Sequence, residues 1–457
     1  MNRFKAIFLI SILTLTLTGC RKKPLQPVDN TPVTLNYYKL YEPEENIRPS
    51  LMAFQKRFPN VTINYKTFND FDQYMETILN EMSEGGGPDI FSVPNSWVAQ
   101  NYKKLKPAPV ADFKAEDFEN IFVGFTFNDN VLKDKEENEY IYGVPLSTDV
   151  LGLIYNKEHF ETSIPQRGKP ANNWQQLQTD NRILTFKDNN GDFLRTGIQL
   201  GNPNYTSLDS DLFYLKLLQN DVNFYKNNLQ VNFQGNVKSS NILTYITSFA
   251  DSKSINYSTP VYKQADTPEL KEIESFLRGK TSMILGYNYT YQNLFKQIQL
   301  LKRNGIDTID SSNIRIQAIP QETISENKKA FANYFTEVVN HNTKQENYSW
   351  RLLAEMIQAP NLRNYYEKSF KPSSRRDLLA EQLTNRVFKD YISQLGYAET
   401  FKFPDKTKVD QIINDMIINS IEKTNNRPNI TKAASQINQL IPQGGITPKV
   451  PNIMPKD

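Results

Sequence analysis

The clearest binding chemistry in the sequence lies in three consecutive residues that follow a short apolar run, Tyr287, Asn288 and Tyr289. A tyrosine ring stacks on the apolar face of a polar ring, while its hydroxyl group and a neighbouring amide form hydrogen bonds. Gly286, directly before them, lets the backbone approach a ligand closely. One of the two tyrosines is expected in the core. The segment predicts a contact with a polar ligand where a strand ends.

Other polar and aromatic side chains also follow predicted strands. Asn95, Ser96 and Trp97 come directly after the run that begins at residue 90, and Asn202 and Tyr205 follow the run 197–201. Ligands of open α/β sheets bind at the carboxyl ends of the strands, so these residues are predicted at the edge of a cleft. For Trp97, a core position is an equally good interpretation.

Catalytic constellations are scarce. The only cysteine is Cys20, the only histidines are His159 and His341, and neither G-x-S-x-G nor H-E-x-x-H occurs. Nucleophilic catalysis needs a nucleophile and a base held together, and no such pair is indicated. A pair of carboxylates for glycoside hydrolysis stays open, because the chain has 50 acidic residues.

Metal-binding spacings are also weak. No cluster of cysteine and histidine has zinc-ligand spacing, and no cofactor is predicted. Asp188, Asn190 and Asp192 alternate as in a calcium loop, but the glycine is displaced by one position and no glutamate closes the loop. A turn between two strands is the simpler interpretation of this segment.

Composition limits the class of protein. The chain has 457 residues, enough for two or three domains, with 39% hydrophobic and 23% charged residues. These fractions are typical of a soluble globular protein. The net charge is only +3, which gives no indication of a nucleic-acid partner.

The first hundred residues alternate between two periodicities. Residues 33–38 and 61–65 are predicted strands, and residues 47–58 and 71–82 are predicted amphipathic helices, with Pro49 in the first turn of the former. Another strand is expected around residues 88–91. This βαβαβ order predicts a parallel or mostly parallel sheet with helices on both faces.

Several motifs occur in an order that resembles a known family. The Y-G-V-P motif at residues 142–145, followed by a polar patch and the L-x-Y-N-K motif at 153–157, resembles an interdomain crossover. The family is that of the extracellular solute-binding proteins of ABC importers, in the subclass that includes maltose-binding protein. R-F-P-N-V at 57–61, G-P-D-I at 87–90 and the segment 276–291 resemble the same family.

The resemblance implies an α/β fold with two lobes of the type II periplasmic-binding-protein class. Each lobe is expected to be a mostly parallel sheet flanked by helices, with crossover strands between the lobes. The first lobe is predicted at 33–146 and about 321–370, the second at about 147–320 and 371–445, and a tail at 446–457.

The resemblance also implies further binding residues in the cleft. It places Tyr41 and Glu42 in the first cleft loop, Asp149 at the cleft floor, and Arg375 after the third crossover. The Arg375 guanidinium would bind a hydroxyl or carboxylate of the ligand, or form a surface salt bridge instead. The ligand-binding candidates are thus Tyr41, Glu42, Asn95, Ser96, Trp97, Asp149, Asn202, Tyr205, Tyr287, Asn288, Tyr289 and Arg375.

The N-terminus has the pattern of a targeting signal. Two basic residues, Arg3 and Lys5, precede an apolar stretch at 6–18 that is too short to span a bilayer. Residues 17–20, L-T-G-C, resemble a bacterial lipobox, which implies a signal peptide at 1–19, lipid attachment at Cys20 and a tether at 20–32. An ordinary secretory signal is the alternative.

The resemblance, together with the pattern of the N-terminus, implies a monomeric receptor on the outer face of the cell membrane, held by its lipid anchor. It would capture a polar solute, a carbohydrate or related polyol, by closing its lobes, and deliver the solute to the permease of an ABC transporter. The chain is not expected to be an enzyme. A lipid-anchored glycan-degrading enzyme and a lipoprotein whose cleft serves only as an interaction surface are the alternatives.

Overall fold

The structure of the protein is a computed structural model that describes residues 31–110, 113–227, 230–258, 271–322 and 327–451. The predicted signal peptide, Cys20 and nearly all of the tether lie outside the described residues. In the described ranges, no helix has both the length and the apolar character needed to cross a membrane.

The strands, in chain order, are β1 Val33–Leu40, β2 Val61–Phe68, β3 Ile90–Pro94, β4 Val131–Lys133, β5 Glu139–Ile141, β6 Gly143–Val144, β7 Gly152–Asn156, β8 Phe186–Lys187, β9 Phe193–Ile198, β10 Tyr225–Lys226, β11 Gln230–Val231, β12 Thr281–Gly286, β13 Ile314–Ala318, β14 Ala330–Phe331, β15 Phe335–Val339 and β16 Ala398–Glu399.

The α-helices, in chain order, are α1 Glu44–Arg57, α2 Phe71–Ser83, α3 Trp97–Asn101, α4 Ala115–Ile121, α5 Phe125–Asn130, α6 Lys157–Ser163, α7 Trp174–Leu184, α8 Asp209–Gln219, α9 Val237–Thr247, α10 Lys271–Leu277, α11 Asn288–Arg303, α12 Glu346–Met356, α13 Ala359–Ser369, α14 Arg376–Gln382, α15 Lys389–Ile392, α16 Lys406–Ser420 and α17 Arg427–Leu440.

The first five-stranded sheet has the order β2-β1-β3-β15-β6. The strand β1 pairs in parallel with β2 and β3, whereas β15 pairs antiparallel with β3 and β6. The parallel half is the predicted βαβαβ unit. The return strand β15 comes from residues 335–339, far along the chain, so a distant segment completes this sheet.

The second five-stranded sheet has the order β13-β7-β12-β9-β8. Only β12 and β9 pair in parallel, and the pairs β13–β7, β7–β12 and β8–β9 are antiparallel. The predicted α/β fold with two sheets is confirmed, but the prediction of a mostly parallel sheet is wrong here. The physical reason is that β7 follows a crossover from the first sheet and runs in the opposite direction to both of its neighbours, β12 and β13. The consecutive strands β8 and β9 also run in opposite directions, because a short turn joins them.

The opening of the chain follows its predicted order of elements. The structure confirms the strand–helix–strand–helix order, and α2 begins at Phe71 as predicted, with the Asp70 carboxylate accepting a hydrogen bond from the Gln73 amide. The helix α1 begins at Glu44, three residues before its predicted start, so Pro49 lies inside the helix rather than in its first turn. Proline there removes one backbone hydrogen bond.

Each sheet packs against its own apolar core. The helices α1 and α12 cover the first sheet through buried side chains such as Phe54 and Leu353. Around the second sheet, α8, α9, α16 and α17 enclose a larger core that includes Trp174 and Phe213. Burial of side chains of this size contributes about 1.5–3 kcal/mol each to the free energy of folding. Each sheet is therefore stabilised by its own hydrophobic core.

The prediction of a tail from residue 446 is wrong for residues 446–450. Ile446 and Val450 are both fully buried, and Val450 packs with Leu132 and Tyr140 in a core on the first sheet's side of the molecule. Two apolar side chains removed from water hold the chain in place here. The prediction for residues 452–457 lies outside the described residues.

Candidate ligand-binding site

Three segments that connect the two sheets run side by side. The Leu151 amide donates to the Phe331 carbonyl at 2.9 Å, and the Thr148 amide donates to the Pro372 carbonyl at 2.9 Å. The Ser374 hydroxyl donates to the Pro145 carbonyl at 2.6 Å. Residues 145–151, 331–334 and 370–375 mark where the two lobes of the predicted fold meet, and the region along them is called the interlobe cleft below.

Asp149 lies at this junction and is bound to the first turn of α11. Its Oδ1 atom accepts the amides of Asn288 at 2.8 Å and Val150 at 2.9 Å, and its Oδ2 atom accepts the Tyr289 amide at 3.2 Å. Burial raises the pKa of Asp149 to about 7, against the lowering effect of these amides. The carboxylate satisfies amide groups that have no partner within the helix, and so it fixes where α11 begins.

One of the two tyrosines lies in the core, as the sequence predicted, and the other is exposed. Tyr287 is fully buried, whereas 56% of Tyr289 is exposed to solvent. Their rings stack with centroids 5.6 Å apart and an angle of 14° between the planes. The buried ring of Tyr287 therefore packs against one side of the Tyr289 ring, and Tyr289 is exposed to solvent.

A buried charged network holds Tyr287. The Tyr287 hydroxyl donates to Asp211 Oδ2 at 2.8 Å, and the Lys406 ammonium lies 3.1 Å from Asp211 Oδ1. Lys406 also donates to Asp410 Oδ2 at 2.6 Å, and the Tyr214 hydroxyl donates to Asp410 Oδ1 at 2.8 Å. The Lys406 ammonium pairs with both carboxylates and holds Asp211 in place. Because Asp211 accepts the hydroxyl of Tyr287, the ring of Tyr287 has a fixed position.

Asn288 is fully buried beside these tyrosines. Its Oδ1 atom accepts a hydrogen bond from Gln292 Nε2 at 2.5 Å, while its Nδ2 atom has no partner in the part of the chain that the structure describes. Gln292 Nε2 also donates to the Phe370 carbonyl at 3.1 Å. The start of α11 is thereby joined to the segment that follows α13.

Glu42 forms a second charged group, on the side of the first sheet. Its carboxylate is 1% exposed and accepts hydrogen bonds from the Tyr365 hydroxyl and the Lys371 ammonium, each at 2.5 Å. Burial raises the pKa of Glu42, but the neighbouring ammonium groups of Lys371 and Lys39 and these hydrogen bonds lower it more, so the net pKa is below its ordinary value. Glu42 is a carboxylate at neutral pH.

Lys371 links the two groups of predicted residues. It pairs directly with Glu42, and its charge also acts on Asp149. Tyr41, next to Glu42, is 54% exposed and has a positive φ of 54°, which turns the chain at the end of β1. The structure therefore brings Tyr41 and Glu42 from the first sheet and Asp149 from the crossover towards one lysine. The sequence offered no signal for Lys371, because its partners lie hundreds of residues away.

Asn95 belongs to a separate buried group. The Asn95 amide donates to Asp129 Oδ2 at 2.9 Å, and the Tyr334 hydroxyl donates to the same oxygen at 2.9 Å. The Thr400 hydroxyl donates to Asp129 Oδ1 at 3.0 Å, and burial raises the pKa of Asp129. Asp129 thus joins α5 to the segment after β16 through hydrogen bonds. The Asn95 side chain takes part in the same group, because its amide donates to Asp129 and its oxygen accepts the Tyr334 amide.

The remaining predicted residues fall into different environments. Ser96 is buried, and Trp97 is half-buried with its ring 6.1 Å from Phe91 in an edge-to-face contact, which supports the core interpretation. Asn202 Oδ1 accepts the Asn204 amide, so this side chain shapes its own turn. Tyr205 is half-buried in the same turn, where its carbonyl accepts a hydrogen bond from Gln199.

Arg375 is not brought to either charged group. Its guanidinium donates to both carboxylate oxygens of Asp377, at 2.9 and 2.8 Å, and to the Ile357 carbonyl at 2.9 Å. This is the salt-bridge alternative of the sequence analysis. Because the planar guanidinium is held from two sides, the prediction that Arg375 reaches a ligand finds no support in this geometry.

Among the described residues, neither histidine ring is hydrogen-bonded to both a hydroxyl and a carboxylate, as a catalytic triad requires. His159 Nδ1 lies 3.0 Å from the Ser282 hydroxyl, and burial, with the Arg195 charge, lowers the pKa of His159 to about 3. The imidazole is neutral at physiological pH. His341 lies on the first sheet's side, where its amide donates to the Lys104 carbonyl.

The predicted calcium segment is a turn. The Asp188 carboxylate accepts the amides of Asn190 and Asp192, each at 2.9 Å, between β8 and β9. Across the described ranges, no group of three or more His, Cys, Asp and Glu side chains is arranged to hold a metal ion. The Asp188 carboxylate therefore stabilises a turn at residues 188–192, as the turn interpretation predicted.

Gly286 is required by close packing at the start of the site. A Cβ atom there would lie 2.5 Å from the Ile154 Cδ1 atom and 3.1 Å from the Thr290 side chain. We expect Gly286→Ala to reduce the free energy of unfolding by about 1–3 kcal/mol, the usual cost of an added methyl in a packed core. Urea denaturation measures the change. Gly396→Ala is the matched control, since no atom lies within 4 Å of its Cβ, and an equal loss in both variants would contradict the packing argument.

Comparisons with known proteins agree with this architecture. A family model for the bacterial extracellular solute-binding proteins matches residues 40–361. A multiple sugar-binding protein of Streptococcus mutans is 26% identical over 171 residues, which are 35% of this chain and 37% of that protein. The match to this relative therefore spans about a third of its length.

Solved structures of similar fold cover nearly the whole chain. The sugar-binding protein MalE of the phytopathogen Xanthomonas citri matches with a TM-score of 0.70 and 16% identity, over 89% of this chain and 97% of that one. The cyclic α-maltosyl-1,6-maltose binding protein of Arthrobacter globiformis matches with a TM-score of 0.68 and 14% identity, over 90% and 99%. By its sequence match and its two-lobed α/β fold, the chain belongs to the family of bacterial extracellular solute-binding proteins.

Proposed function

We propose that this protein is an extracytoplasmic receptor that binds a carbohydrate in the interlobe cleft and delivers it to the permease of an ABC transporter. The relatives named above are sugar-binding proteins, and the family is extracellular. Lobe closure is the mechanism: contacts from both lobes exist only in the closed state, so a ligand shifts the population towards that state.

The single observation that supports this proposal most is the exposed ring of Tyr289 at the junction of the two sheets. The ring is stacked on a buried tyrosine, while the Glu42–Lys371 ion pair and Asp149 lie at the same junction. A sugar has an apolar face for stacking and hydroxyl groups for charged hydrogen-bonding partners. Tyr289 offers the stacking face, and the partly exposed ammonium of Lys371 is the charged partner that a sugar hydroxyl group can reach.

The lobes are proposed as predicted from the sequence: residues 33–146 and about 321–370 form the first, and about 147–320 and 371–445 the second. One detail is added from the packing. Leu378 lies in the core of the first sheet, whereas Leu379 packs against the core of the second, so α14 lies at the border.

Membrane attachment is part of the proposal. Residues 1–19 would be removed as a signal peptide, and Cys20 would carry the lipid that holds a monomeric receptor at the outer face of the cell membrane. Support comes from the lipobox-like residues 17–20 and from the extracellular family. Metabolic labelling with a palmitate analogue would test it: we expect label on the wild-type chain and none on Cys20→Ser.

Binding without turnover is expected, because the two carboxylates at the cleft are already engaged. Both oxygens of Asp149 accept backbone amides, and both oxygens of Glu42 accept side-chain donors. A glycoside hydrolase needs one free acid and one free nucleophile or base. Hydrolysis of a chromogenic glycan panel that a single carboxylate substitution abolishes would instead support the enzyme.

Isothermal titration calorimetry of the purified full-length chain tests the ligand class. A panel of maltose, maltotetraose, cyclic glucans and non-glucose oligosaccharides is titrated, and we expect at least one to bind with a dissociation constant of about 1 µM or below, equivalent to about −8 kcal/mol. Native mass spectrometry before the titration shows whether a sugar is already bound. Absence of heat for every sugar, on protein shown to be empty, would contradict the carbohydrate assignment.

A further inference from the structure

The C-terminal end of the chain leaves one lobe and binds to the other. The helix α17 packs its buried side chains, including Ile430 and Ile437, into the core of the second sheet. The Val231 amide donates to Asn438 Oδ1 at 2.7 Å, which fixes the last turn of α17 to β11. Residues 441–450, named the C-terminal strap here, then run to the first sheet's side.

The strap is bound at its far end by both apolar and polar contacts. Val450 is fully buried among Leu132 and Tyr140 of the β4–β5 hairpin, and its amide donates to the Lys133 carbonyl at 3.0 Å. A parallel β-bridge joins Val450 to Asp134. Strand addition of this kind fixes the register of the strap, because backbone groups and one side chain are recognised together.

A second contact joins the strap to α3. The Gln100 side chain donates to the Ile446 carbonyl, and Ile446 is fully buried. Gln100 belongs to α3, which begins at Trp97 directly after the end of β3. The strap therefore meets the first lobe at the short helix that starts at its predicted cleft edge.

The β4–β5 hairpin that receives the strap is a rigid partner. The fully buried Asp134 carboxylate accepts the amides of Glu136 and Asn138 and the side chain of Asn138, and it closes the turn of the hairpin. On the surface, Lys449 pairs with Glu137. This exposed pair adds little, since exposed ion pairs contribute weakly. The buried side chains provide the attachment.

The strap is a short connection. Five residues lie between Leu440 and Ile446, and the six Cα-to-Cα steps of a fully extended chain reach about 20 Å. Gly444 and Gly445 lie midway, and the φ of +81° at Gly445, with its amide donating to the Pro442 carbonyl at 2.9 Å, folds part of this length into a turn. Separation of the lobes first unfolds the turn and then pulls on Ile446 and Val450.

We propose that the C-terminal strap is a connection between the lobes, additional to the crossover segments, that limits how far the interlobe cleft opens. This inference rests on the lobe movement of the proposed function. With both ends bound, states with widely separated lobes lose the contacts of Ile446 and Val450. Release of the strap then raises the open population and lowers the apparent affinity for a ligand of the closed state.

Pulsed electron paramagnetic resonance distances between spin labels on the two lobes test the proposal without any ligand. Glu76→Cys on α2 and Lys296→Cys on α11 place labels at exposed positions of the two lobes, in a full-length chain that carries Cys20→Ser. The test variant ends at Leu440, and we expect its distance distribution to shift to longer distances and to broaden. An unchanged distribution in the shortened chain would overturn the proposal.

Two point variants locate the attachment. Val450→Asp places a charge in the apolar contact and is expected to reproduce the shift of the shortened chain. Lys449→Ala removes only the exposed pair with Glu137 and is expected to keep the wild-type distribution. A shift with Val450→Asp but none in the shortened chain indicates local damage to the first lobe and overturns the proposal.

Affinity provides the second readout. For a sugar that binds the wild-type chain, the shortened chain is expected to bind at least threefold more weakly, with the loss in proportion to the fall in the closed population. If no sugar binds the wild-type chain, the ligand-free distances still decide about the strap. Failure of the strap and failure of the carbohydrate assignment therefore give different results.

Discussion

Tyr289→Ala is expected to weaken carbohydrate binding about thirtyfold, with little change in protein stability. Its ring is 56% exposed and stacks on the buried ring of Tyr287, so it is held in place before a ligand arrives. An aromatic anchor of a binding site contributes about 2 kcal/mol or more, and 1.4 kcal/mol corresponds to tenfold in affinity. Calorimetry with the tightest-binding sugar measures the loss.

Two controls separate stacking from other effects of the Tyr289 substitution. Tyr289→Phe keeps the ring and is expected to retain most of the affinity. Phe186→Ala removes another exposed aromatic ring, 46% exposed on the edge strand β8, and is expected to change the affinity less than twofold. Wild-type affinity in Tyr289→Ala would place the ligand elsewhere and remove the main support for this site.

Lys406→Met is expected to reduce the free energy of unfolding by about 3–5 kcal/mol, the usual effect of removing one member of a buried ion pair. The ammonium of Lys406 is the partner of both Asp211 and Asp410, so its removal leaves two carboxylates in a buried environment. Asp211, which accepts the hydroxyl of Tyr287, is then no longer held by an ammonium. The position of the Tyr287 ring becomes less fixed, and the affinity for a sugar is expected to fall as well. Urea denaturation monitored by circular dichroism measures the stability.

The pH dependence of that loss has a definite sign. Burial raises the pKa of Asp410, and the Lys406 ammonium lowers it. Without the ammonium, the folded-state pKa of Asp410 therefore rises further above the unfolded value of about 3.9, and the cost of burial appears as the pH rises through the folded pKa. The stability difference between Lys406→Met and wild type is therefore expected to be smaller at pH 5 than at pH 8. Lys408→Met, which removes only the partly exposed pair with Asp405, is the control and is expected to change stability by less than about 1 kcal/mol. An equal loss in both variants would contradict the role of the buried network.

Local patterns in the sequence predicted the elements that depend on neighbouring residues. The strand that ends at Gly286 follows from its apolar run, which a short window contains. The opposite environments of Tyr287 and Tyr289 do not follow from strand alternation, because residues two apart lie on the same face of a strand. They arise because Tyr289 lies in the first turn of α11. Asn156 accepts the His159 amide and starts α6, as an N-cap asparagine does. Each of these features is set by contacts within a few residues.

The features that the sequence did not reveal depend on contacts between distant segments. Lys371 meets Glu42 across 329 residues, and Lys406 meets Asp211 across 195. The antiparallel order of the second sheet and the binding of Val450 to the β4–β5 hairpin are of the same kind. The residues next to a lysine in the sequence do not indicate which distant carboxylate it pairs with. That pairing is set only when the chain folds.

The receptor account depends most directly on closure of the lobes around a sugar. The decisive measurement is the distance between labels at Glu76→Cys and Lys296→Cys, in the Cys20→Ser chain, before and after addition of each sugar in the panel at saturating concentration. We predict that at least one sugar shifts the distribution to a single, narrower and shorter distance, and that Tyr289→Ala requires far more of that sugar for the same shift. A distribution that no sugar changes, in protein shown to be empty at the start, would contradict the account.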